Sequence, residues 1–268
     1  MNTTEFLTIS SAIVPDRESL VFEAKRFTYD QLAQRVNRLA NTLESLGVEA
    51  GDRVATIQVN CTEHIEAYFA SAKLDAIYVP LNFRVKANEL AYMLNDCEPK
   101  VLLVGSRYAK LVKSLQSQVQ AVGTYIALDN PVEGWPFYDD LLAKAPEDEH
   151  FPQGDEDDTT IILFTAGTTG TPKGVMLTHN SFSSYILTNV PPPDLEVEEK
   201  NILTVPLYHI AGMQAVLAAI YGGRTLIIQR QFDPKEWMQL VESEEANRAM
   251  MVPTMLKMLM DHTDFKKH

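Results

Sequence analysis

The residues with the clearest chemical potential lie in one short segment, from Thr165 to Gly174, which reads TAGTTGTPKG. Its three glycines let the backbone approach a ligand closely, and successive backbone N–H groups in such a loop form a concave anion site. The threonine hydroxyls add hydrogen-bond donors, and Lys173 adds a positive charge. This set of groups suits a polyphosphate. A glycine-rich hairpin or linker is the alternative that composition leaves open.

The segment differs from two other phosphate-binding patterns. The P-loop of many NTPases has Gly-Lys followed by Ser or Thr, whereas here Lys173 follows Pro172 and precedes Gly174. The dinucleotide-binding pattern GxGxxG is also absent from the segment. A helix is expected to begin near Thr178, and its N-terminal dipole would add to anion binding.

The spacing of hydrophobic residues alternates along the chain between that of a strand and that of a helix. This alternation predicts the elements that flank the segment. Strands are predicted at 53–59, 76–81, 101–105, 124–128, 159–165, 202–207, 225–229 and 249–253. Helices are predicted at 28–47, 63–74, 87–95, 107–118, 137–144, from about 178, at 210–221, 234–244 and 254–260. Thr28 and Gln31 form a capping box for the first of these helices, and Asp233 caps a later one. Repeated strand–helix units predict an α/β fold of layered, largely parallel sheets flanked by helices.

Residues 129–158 interrupt this alternation. They contain several prolines and glycines and end in the acidic run Asp155-Glu156-Asp157-Asp158. Such composition predicts a surface connection, with a boundary near residue 150. We therefore expect a first α/β subdomain at 1–150 and a second at 151–268 that contains the Thr165–Gly174 segment.

Composition excludes several classes of protein. The 268 residues carry a net charge of −13, which argues against a general binder of nucleic acid or anionic membranes. The two cysteines, Cys61 and Cys97, are too few for a disulfide framework or a cysteine-rich zinc site. The chain shows no secretory signal pattern and no apolar run near the roughly 20 residues that span a bilayer. A cytoplasmic location is expected.

The Thr165–Gly174 segment resembles the signature of the adenylate-forming (AMP-binding) superfamily, close to Thr-Ser-Gly-Thr-Thr-Gly-x-Pro-Lys-Gly. It departs from that signature only at Ala166, where Ser is usual. The superfamily includes acyl- and aryl-CoA synthetases, firefly-type luciferases and adenylation domains of peptide synthetases. Other matching blocks begin at Tyr29, Gly51, Val79, Pro206, Phe232 and Val252. The sequences of these blocks most resemble those of the acyl- and aryl-CoA synthetases.

The resemblance implies an AMP-forming carboxylate–CoA ligase. In that reaction a carboxylate attacks the α-phosphate of MgATP, and coenzyme A then takes the acyl group from the acyl-adenylate. ATP, Mg²⁺ and coenzyme A are the implied cofactors, and a small carboxylic acid is the implied substrate. The implied phosphate-binding residues are Thr165, Ala166, Gly167, Thr168, Thr169, Gly170, Thr171, Lys173 and Gly174. Thr169 is also the implied contact for the metal.

The block Pro206-Leu207-Tyr208-His209-Ile210-Ala211-Gly212 resembles the one that lines the acyl pocket in this family. By that resemblance His209 positions the substrate carboxylate and shapes the thiol tunnel, and Gly212 and Met213 line the acyl and coenzyme A site. The block has no carboxylate, so an uncharged acyl or aryl tail fits better than an amino acid. Arg84 matches a position that meets the coenzyme A nucleotide; a solvated or structural arginine is the alternative.

The resemblance covers roughly the first half of such an enzyme. The Tyr-Gly-x-Thr-Glu and Thr-Gly-Asp blocks and the small C-terminal domain are expected beyond it, and that part of the fold is a candidate partner. The fold is therefore predicted to be the N-terminal domain of the adenylate-forming fold, incomplete. A truncated, non-catalytic nucleotide-binding or partner-binding module is the alternative. The choice between fatty and aromatic acids and the oligomeric state stay open.

Overall fold

The architecture was determined as a computed structural model, which describes residues 1–165 and 171–267. Within these residues the strands are β1 Glu18–Phe22, β2 Lys25–Thr28, β3 Arg53–Ile57, β4 Ile77–Pro80, β5 Val101–Val104, β6 Thr124–Ala127, β7 Thr159–Thr165, β8 Lys173–Thr178, β9 Lys200–Leu203, β10 Thr225–Ile228 and β11 Arg248–Ala249. The α-helices are α1 Thr4–Ile13, α2 Tyr29–Ser45, α3 Thr62–Lys73, α4 Ala87–Cys97, α5 Ala109–Leu115, α6 Tyr138–Lys144, α7 His179–Asn189, α8 Ile210–Tyr221, α9 Pro234–Ser243 and α10 Pro253–Met260. Short 3₁₀ turns lie at 106–108 and 265–267.

The chain packs into two compact units that interleave along the sequence. Unit 1 contains Met1–Thr4, Gln34–Val59 and Glu63–Ser183, and unit 2 contains Glu5–Ala33, Asn60–Thr62 and the chain from Ser184 onward. The sequence predicts a division near residue 150 into two continuous parts of the chain. The two units are each made of several separate segments, so they do not test that division, which stays a prediction.

Unit 1 is built on a six-stranded sheet with the order β6-β5-β3-β4-β7-β8. All neighbouring pairs are parallel except β7 and β8, which form an antiparallel hairpin. The central strand β5 is buried along its whole length, as a continuously apolar strand covered by helices should be.

Unit 2 is built on a five-stranded sheet with the order β11-β9-β10-β1-β2. It is parallel except for the β1–β2 hairpin. Val21, Ile202 and Ile227 form a buried cluster on this sheet, and Trp237 and Leu240 of α9 pack against it. The two sheets with their helices confirm the predicted layered, largely parallel α/β class.

Local sequence signals account for several helix ends. At the start of α2, the Thr28 N–H donates to Gln31 Oε1 at 3.0 Å and the Gln31 N–H donates to Thr28 Oγ1 at 3.2 Å. This reciprocal pair is the predicted capping box. At α9, Asp233 accepts from the Glu236 N–H at 2.9 Å, with Pro234 at the first helical position.

Some elements differ from the sequence-based expectation. Helix α1 and the β1–β2 hairpin were not predicted, and β11 is two residues long where a strand at 249–253 was expected. Strand β8 was also missed, because the segment after Pro172 was treated as a loop leading into a helix. Its side chains from Lys173 to Met176 are exposed, so it lacks the alternation that marks a half-buried strand.

Candidate functional site

The β7–β8 hairpin, residues 159–178, carries the predicted phosphate-binding segment at its closed end. Antiparallel pairing runs from Thr159 opposite Thr178 to Thr165 opposite Lys173. The Thr165 hydroxyl donates to the Lys173 carbonyl at 3.4 Å. Residues 166–172 therefore connect two paired strand ends. The hairpin thus delivers both ends of the motif to one place.

Part of the predicted phosphate site lies outside the described residues. Those positions are Ala166, Gly167, Thr168, Thr169 and Gly170. Thr165, Thr171, Lys173 and Gly174 are described, and all four are exposed. Within the described part of the chain, Lys173 forms no ion pair, so no described carboxylate competes for its ammonium group.

The expected contribution of a helix dipole does not reach this segment. Helix α7 begins at His179, at the end of the hairpin opposite the closed loop. The five steps of strand from Lys173 to Thr178 span about 17 Å at the usual rise for antiparallel strands. Because the effect of a helix dipole fades within a turn of the helix end, the dipole of α7 does not contribute to anion binding at the closed end.

His179 anchors the open end of the hairpin. The Thr3 N–H donates to His179 Nδ1 at 3.3 Å, and Thr3 Oγ1 lies 2.8 Å from the same nitrogen. Thr3 Oγ1 also lies 2.6 Å from the Tyr68 hydroxyl. Burial lowers the pKa of His179 to about 4, against opposing effects of Asp75 and Asp158. This network gives His179 a structural role at the start of α7.

The residues from Pro206 to Met213, the 206–213 turn, lead from the end of β9 into α8. His209 is the N-cap residue: its N–H donates to the Pro206 carbonyl at 3.1 Å, and its own carbonyl accepts from Gly212 N–H at 3.0 Å and Met213 N–H at 3.2 Å. The His209 side chain is exposed, and its ring centroid lies 4.4 Å from that of Tyr208. The imidazole of His209 is therefore exposed, on a turn whose backbone is held by three hydrogen bonds.

Position 212 requires glycine because two stretches of backbone approach each other closely within this turn. A Cβ at position 212 would overlap the carbonyl oxygen of Pro206. Leu207 and Met213 are buried, which holds both ends of the turn in the core of unit 2. Of the predicted acid-site residues, His209 is thus exposed to a ligand, whereas Met213 packs inside.

Asn60 contacts the 206–213 turn, and sequence reasoning missed this contact. Its side-chain amide is buried and hydrogen-bonds the backbone of the 206–213 turn through the Leu207 N–H, at 3.0 Å. The signal available in the sequence was a polar residue between Val59 and Cys61, directly after a buried strand. Such a position is equally typical of a helix start, so the signal alone did not distinguish the two roles.

Arg84 is an exposed residue in the segment between β4 and α4 of unit 1. Its guanidinium carbon is 5.2 Å from the centre of the Phe83 ring, and Arg107 lies 5.3 Å from the Tyr108 ring. Burial raises the pKa of Tyr108, and the charges of Arg107 and Arg84 lower it, so both guanidinium groups act on this phenol. The exposed carboxylate of Asp129 raises the pKa of the same phenol, so this surface carries charges of both signs.

Residues 1–165 and 171–267 contain neither a cluster of metal ligands nor a membrane-spanning helix. No group of three or more His, Cys, Asp or Glu side chains there is placed to hold a metal ion. No helix within the same residues is long and apolar enough to cross a bilayer.

Comparison with known proteins decides the family. A family model described as AMP-binding enzyme matches residues 9–268. The chain belongs to the AMP-binding enzyme family. The recognition of an adenylate-forming fold from the Thr165–Gly174 segment is thereby confirmed.

Related proteins of this family are CoA ligases. An indoleacetate–CoA ligase of Aromatoleum aromaticum is 30% identical over 97% of this chain and 51% of the relative. A long-chain-fatty-acid–CoA ligase of Thermus thermophilus is 30% identical over 100% of this chain and 50% of the relative. The chain thus spans about half the length of the curated relatives it matches.

A solved structure gives the same result. The inhibitor-bound N-terminal domain of FACL13 from Mycobacterium tuberculosis superposes with a TM-score of 0.89 at 29% identity, covering 99% of this chain and 66% of that domain. The predicted likeness to the N-terminal domain of an adenylate-forming enzyme is therefore confirmed.

Proposed function

We propose that this chain supplies the ATP- and acid-binding part of an AMP-forming carboxylate–CoA ligase. The observation that carries the proposal is the β7–β8 hairpin, which brings Thr165 and Lys173 together at its closed end with exposed side chains. A hydroxyl and an ammonium group that face solvent, without a described ion-pair partner, fit the oxygens of a polyphosphate.

The chain's contribution to adenylation is alignment and charge neutralisation. MgATP supplies the α-phosphorus that a substrate carboxylate attacks, with pyrophosphate as the leaving group. Lys173 and the hydroxyls of Thr165 and Thr171 hold the β- and γ-phosphates and neutralise the charge that develops there. Gly167, Thr168, Thr169 and Gly170, which lie outside the described residues, are proposed as further phosphate contacts. Thr169 is the proposed magnesium contact, since a hydroxyl oxygen is a hard donor suited to Mg²⁺.

The 206–213 turn is the proposed site for the acid. His209 projects from it and would donate a hydrogen bond to the substrate carboxylate. The turn offers no carboxylate that could bind a substrate amine, so the acid carries an uncharged acyl or aryl tail. The related ligases act on both kinds of acid, indoleacetate and long-chain fatty acids. Coenzyme A is the proposed thiol, with Arg84 and Arg107 as contacts for its phosphates.

Calorimetric titration with MgATP tests the phosphate site. We expect Lys173→Ala to weaken binding about tenfold, the effect of losing one charge-assisted contact. Lys144→Ala is the matched control, because Lys144 is an exposed lysine on α6, far along the chain from the hairpin. Unchanged affinity in a folded Lys173→Ala variant would remove the assignment.

Carboxylate-dependent exchange between ATP and pyrophosphate tests the reaction. The assay uses the 268-residue chain with dodecanoate and phenylacetate as representative fatty and aryl acids. Exchange with either acid would identify adenylation and the class of substrate. MgATP binding without exchange would restrict this chain to nucleotide binding and would support a non-catalytic module.

A further inference from the structure

A single buried side chain, that of Asn60, joins two loops of unit 2. It lies between β3 and α3 in the chain, and it is 2% exposed. We propose that Asn60 is a positioning residue for the 206–213 turn, holding His209 where it meets the substrate carboxylate. The proposal rests on the function proposed above for that turn.

The Asn60 side chain hydrogen-bonds two backbone segments, through both its NH₂ group and its carbonyl oxygen. Its Nδ2 donates to the Val205 carbonyl at 3.1 Å and to the Gln229 carbonyl at 3.2 Å. Its Oδ1 accepts from the Leu207 N–H at 3.0 Å. The Asn60 backbone N–H adds a bond to the Arg230 carbonyl at 3.2 Å. One residue thus ties the 205–207 segment to the 229–230 segment.

The orientation of this amide follows from its partners. The Leu207 N–H is a fixed donor, so it must face the amide oxygen, while two carbonyl oxygens must face the NH₂ group. A side chain that only accepts or only donates cannot replace it. Loss of the amide would leave buried backbone groups of Val205, Leu207 and Gln229 without this partner, which is costly in a dry interior.

The bridged loops lie where ligands bind in folds of this kind. Strands β9 and β10 are parallel neighbours, and Val205 and Gln229 follow their carboxyl ends. Ligands of open parallel sheets bind outside the carboxyl ends of the strands, on the loops that leave them. Asn60 therefore fixes the spacing between two loops at the ligand edge of the sheet.

A shift of Leu207 would be passed on to His209. Two peptide bonds separate these residues, and the His209 N–H is already bonded to the Pro206 carbonyl. Gly212 packs against that same carbonyl with no room for a Cβ. The turn consequently moves as one piece, and its attachment at Leu207 sets the position of the imidazole. Small displacements of a group that positions substrate weaken catalysis strongly.

Asn247 provides a control at the amino end of β9, the strand whose carboxyl end leads to Val205. Its Oδ1 accepts from the Lys200 N–H at 2.9 Å, and its Nδ2 donates to the Glu198 carbonyl at 3.3 Å. It thus bridges backbone segments as Asn60 does, but at the amino end of β9. Asn247 is exposed whereas Asn60 is buried, so Asn247→Ala should cost less stability than Asn60→Ala, and only the Asn60 substitution should affect the 206–213 turn.

The experiment compares wild type, Asn60→Ala and Asn247→Ala by NMR, with amide exchange at Leu207 and with the His209 ring signal during titration with dodecanoate and phenylacetate. We expect Asn60→Ala to lose protection at Leu207 and to bind the acid about tenfold more weakly. Asn247→Ala should keep both values. If Asn60→Ala fails to fold, Asn60→Asp keeps the volume and the acceptor for Leu207, but it sets oxygen against the two carbonyls. It should also weaken acid binding.

Three outcomes separate the proposals. Unchanged Leu207 exchange in Asn60→Ala, or equal loss of acid affinity in the Asn60 and Asn247 variants, would overturn the positioning role while the proposed function stands. A His209 signal that no acid perturbs in the wild-type chain would instead overturn the proposed function, and this inference with it. Selective loss in the Asn60 variants would support both.

Discussion

The β7–β8 hairpin and the 206–213 turn are held in opposite ways. In the hairpin, β8 is exposed from Lys173 to Met176, and pairing with β7 is its main support. In the turn, Leu207, Tyr208 and Met213 are buried, and Asn60 ties the backbone down. Because pairing with β7 supports the backbone of β8, the exposed side chains of β8 are available to a ligand. A segment held by packed side chains must give up stability when any of them changes.

The largest expected effect contrasts one methionine from each region. Met213 is 0% exposed and Met176 is 68% exposed. We expect Met213→Ala to lower the free energy of unfolding by about 3 kcal/mol, because it leaves a cavity in the core of unit 2. Met176→Ala should change it by less than about 0.5 kcal/mol. Urea unfolding measures both, and similar losses in the two variants would contradict the contrast.

A smaller loss is expected from Gly212→Ala. The added Cβ meets a backbone carbonyl, that of Pro206, which has to move. Overpacking of this kind should lower the free energy of unfolding by about 2 kcal/mol. Ala211→Ser, one residue away and exposed, is the control. If both variants unfold at the wild-type urea concentration, the turn is looser than its geometry indicates.

Acid pH should destabilise unit 1 through two buried histidines. Burial lowers the pKa of His64 and of His179 to about 4, from an ordinary value of 6.5. Between those values the unfolded chain binds protons that the native histidines do not. The free energy of unfolding should therefore fall as the pH is lowered from about 6.5 to about 4. Each histidine contributes at most about 1.4 kcal/mol per pH unit.

Urea unfolding measured between pH 7 and pH 4 checks this dependence, because that range includes both the ordinary and the native pKa of these histidines. His64→Gln and His179→Gln should each reduce the slope, whatever their effect on stability at pH 7. Burial favours the neutral form of His64, whose Nδ1 lies 2.5 Å from the Tyr78 hydroxyl. The bond that Nε2 donates to the Gln58 carbonyl at 3.1 Å raises the pKa and only partly offsets burial. Wild-type slopes in both variants would assign the acid sensitivity to carboxylates.

The smallest effect on stability is expected from Lys173→Ala. This lysine is exposed and has no ion-pair partner among the residues that the structure describes, so the free energy of unfolding should stay within about 0.5 kcal/mol of wild type. The same variant should bind MgATP about tenfold more weakly. A variant that lost stability together with affinity would show that the hairpin depends on its side chains after all.

Local signals predicted much of the fold. The capping box at Thr28 and Gln31, the cap at Asp233 and the continuously apolar strand β5 depend on neighbouring residues, so a linear pattern carries them. Strand β8 and the β1–β2 hairpin depend on pairing partners rather than on their own burial pattern. Helix α10 shows the same limit, because an apolar sequence does not by itself bury a side chain: Met258 and Met260 are 50% and 60% exposed.

For the site, the proposed chemistry comes from the sequence by itself. Three glycines, four threonines and Lys173 in one segment predict phosphate binding, and that stays a prediction. The tertiary structure decided that Lys173 begins a strand, that the start of α7 is remote from the loop, and that Asn60 holds the turn before His209. Those facts join residues far apart in the chain, by pairing and burial that no local pattern encodes.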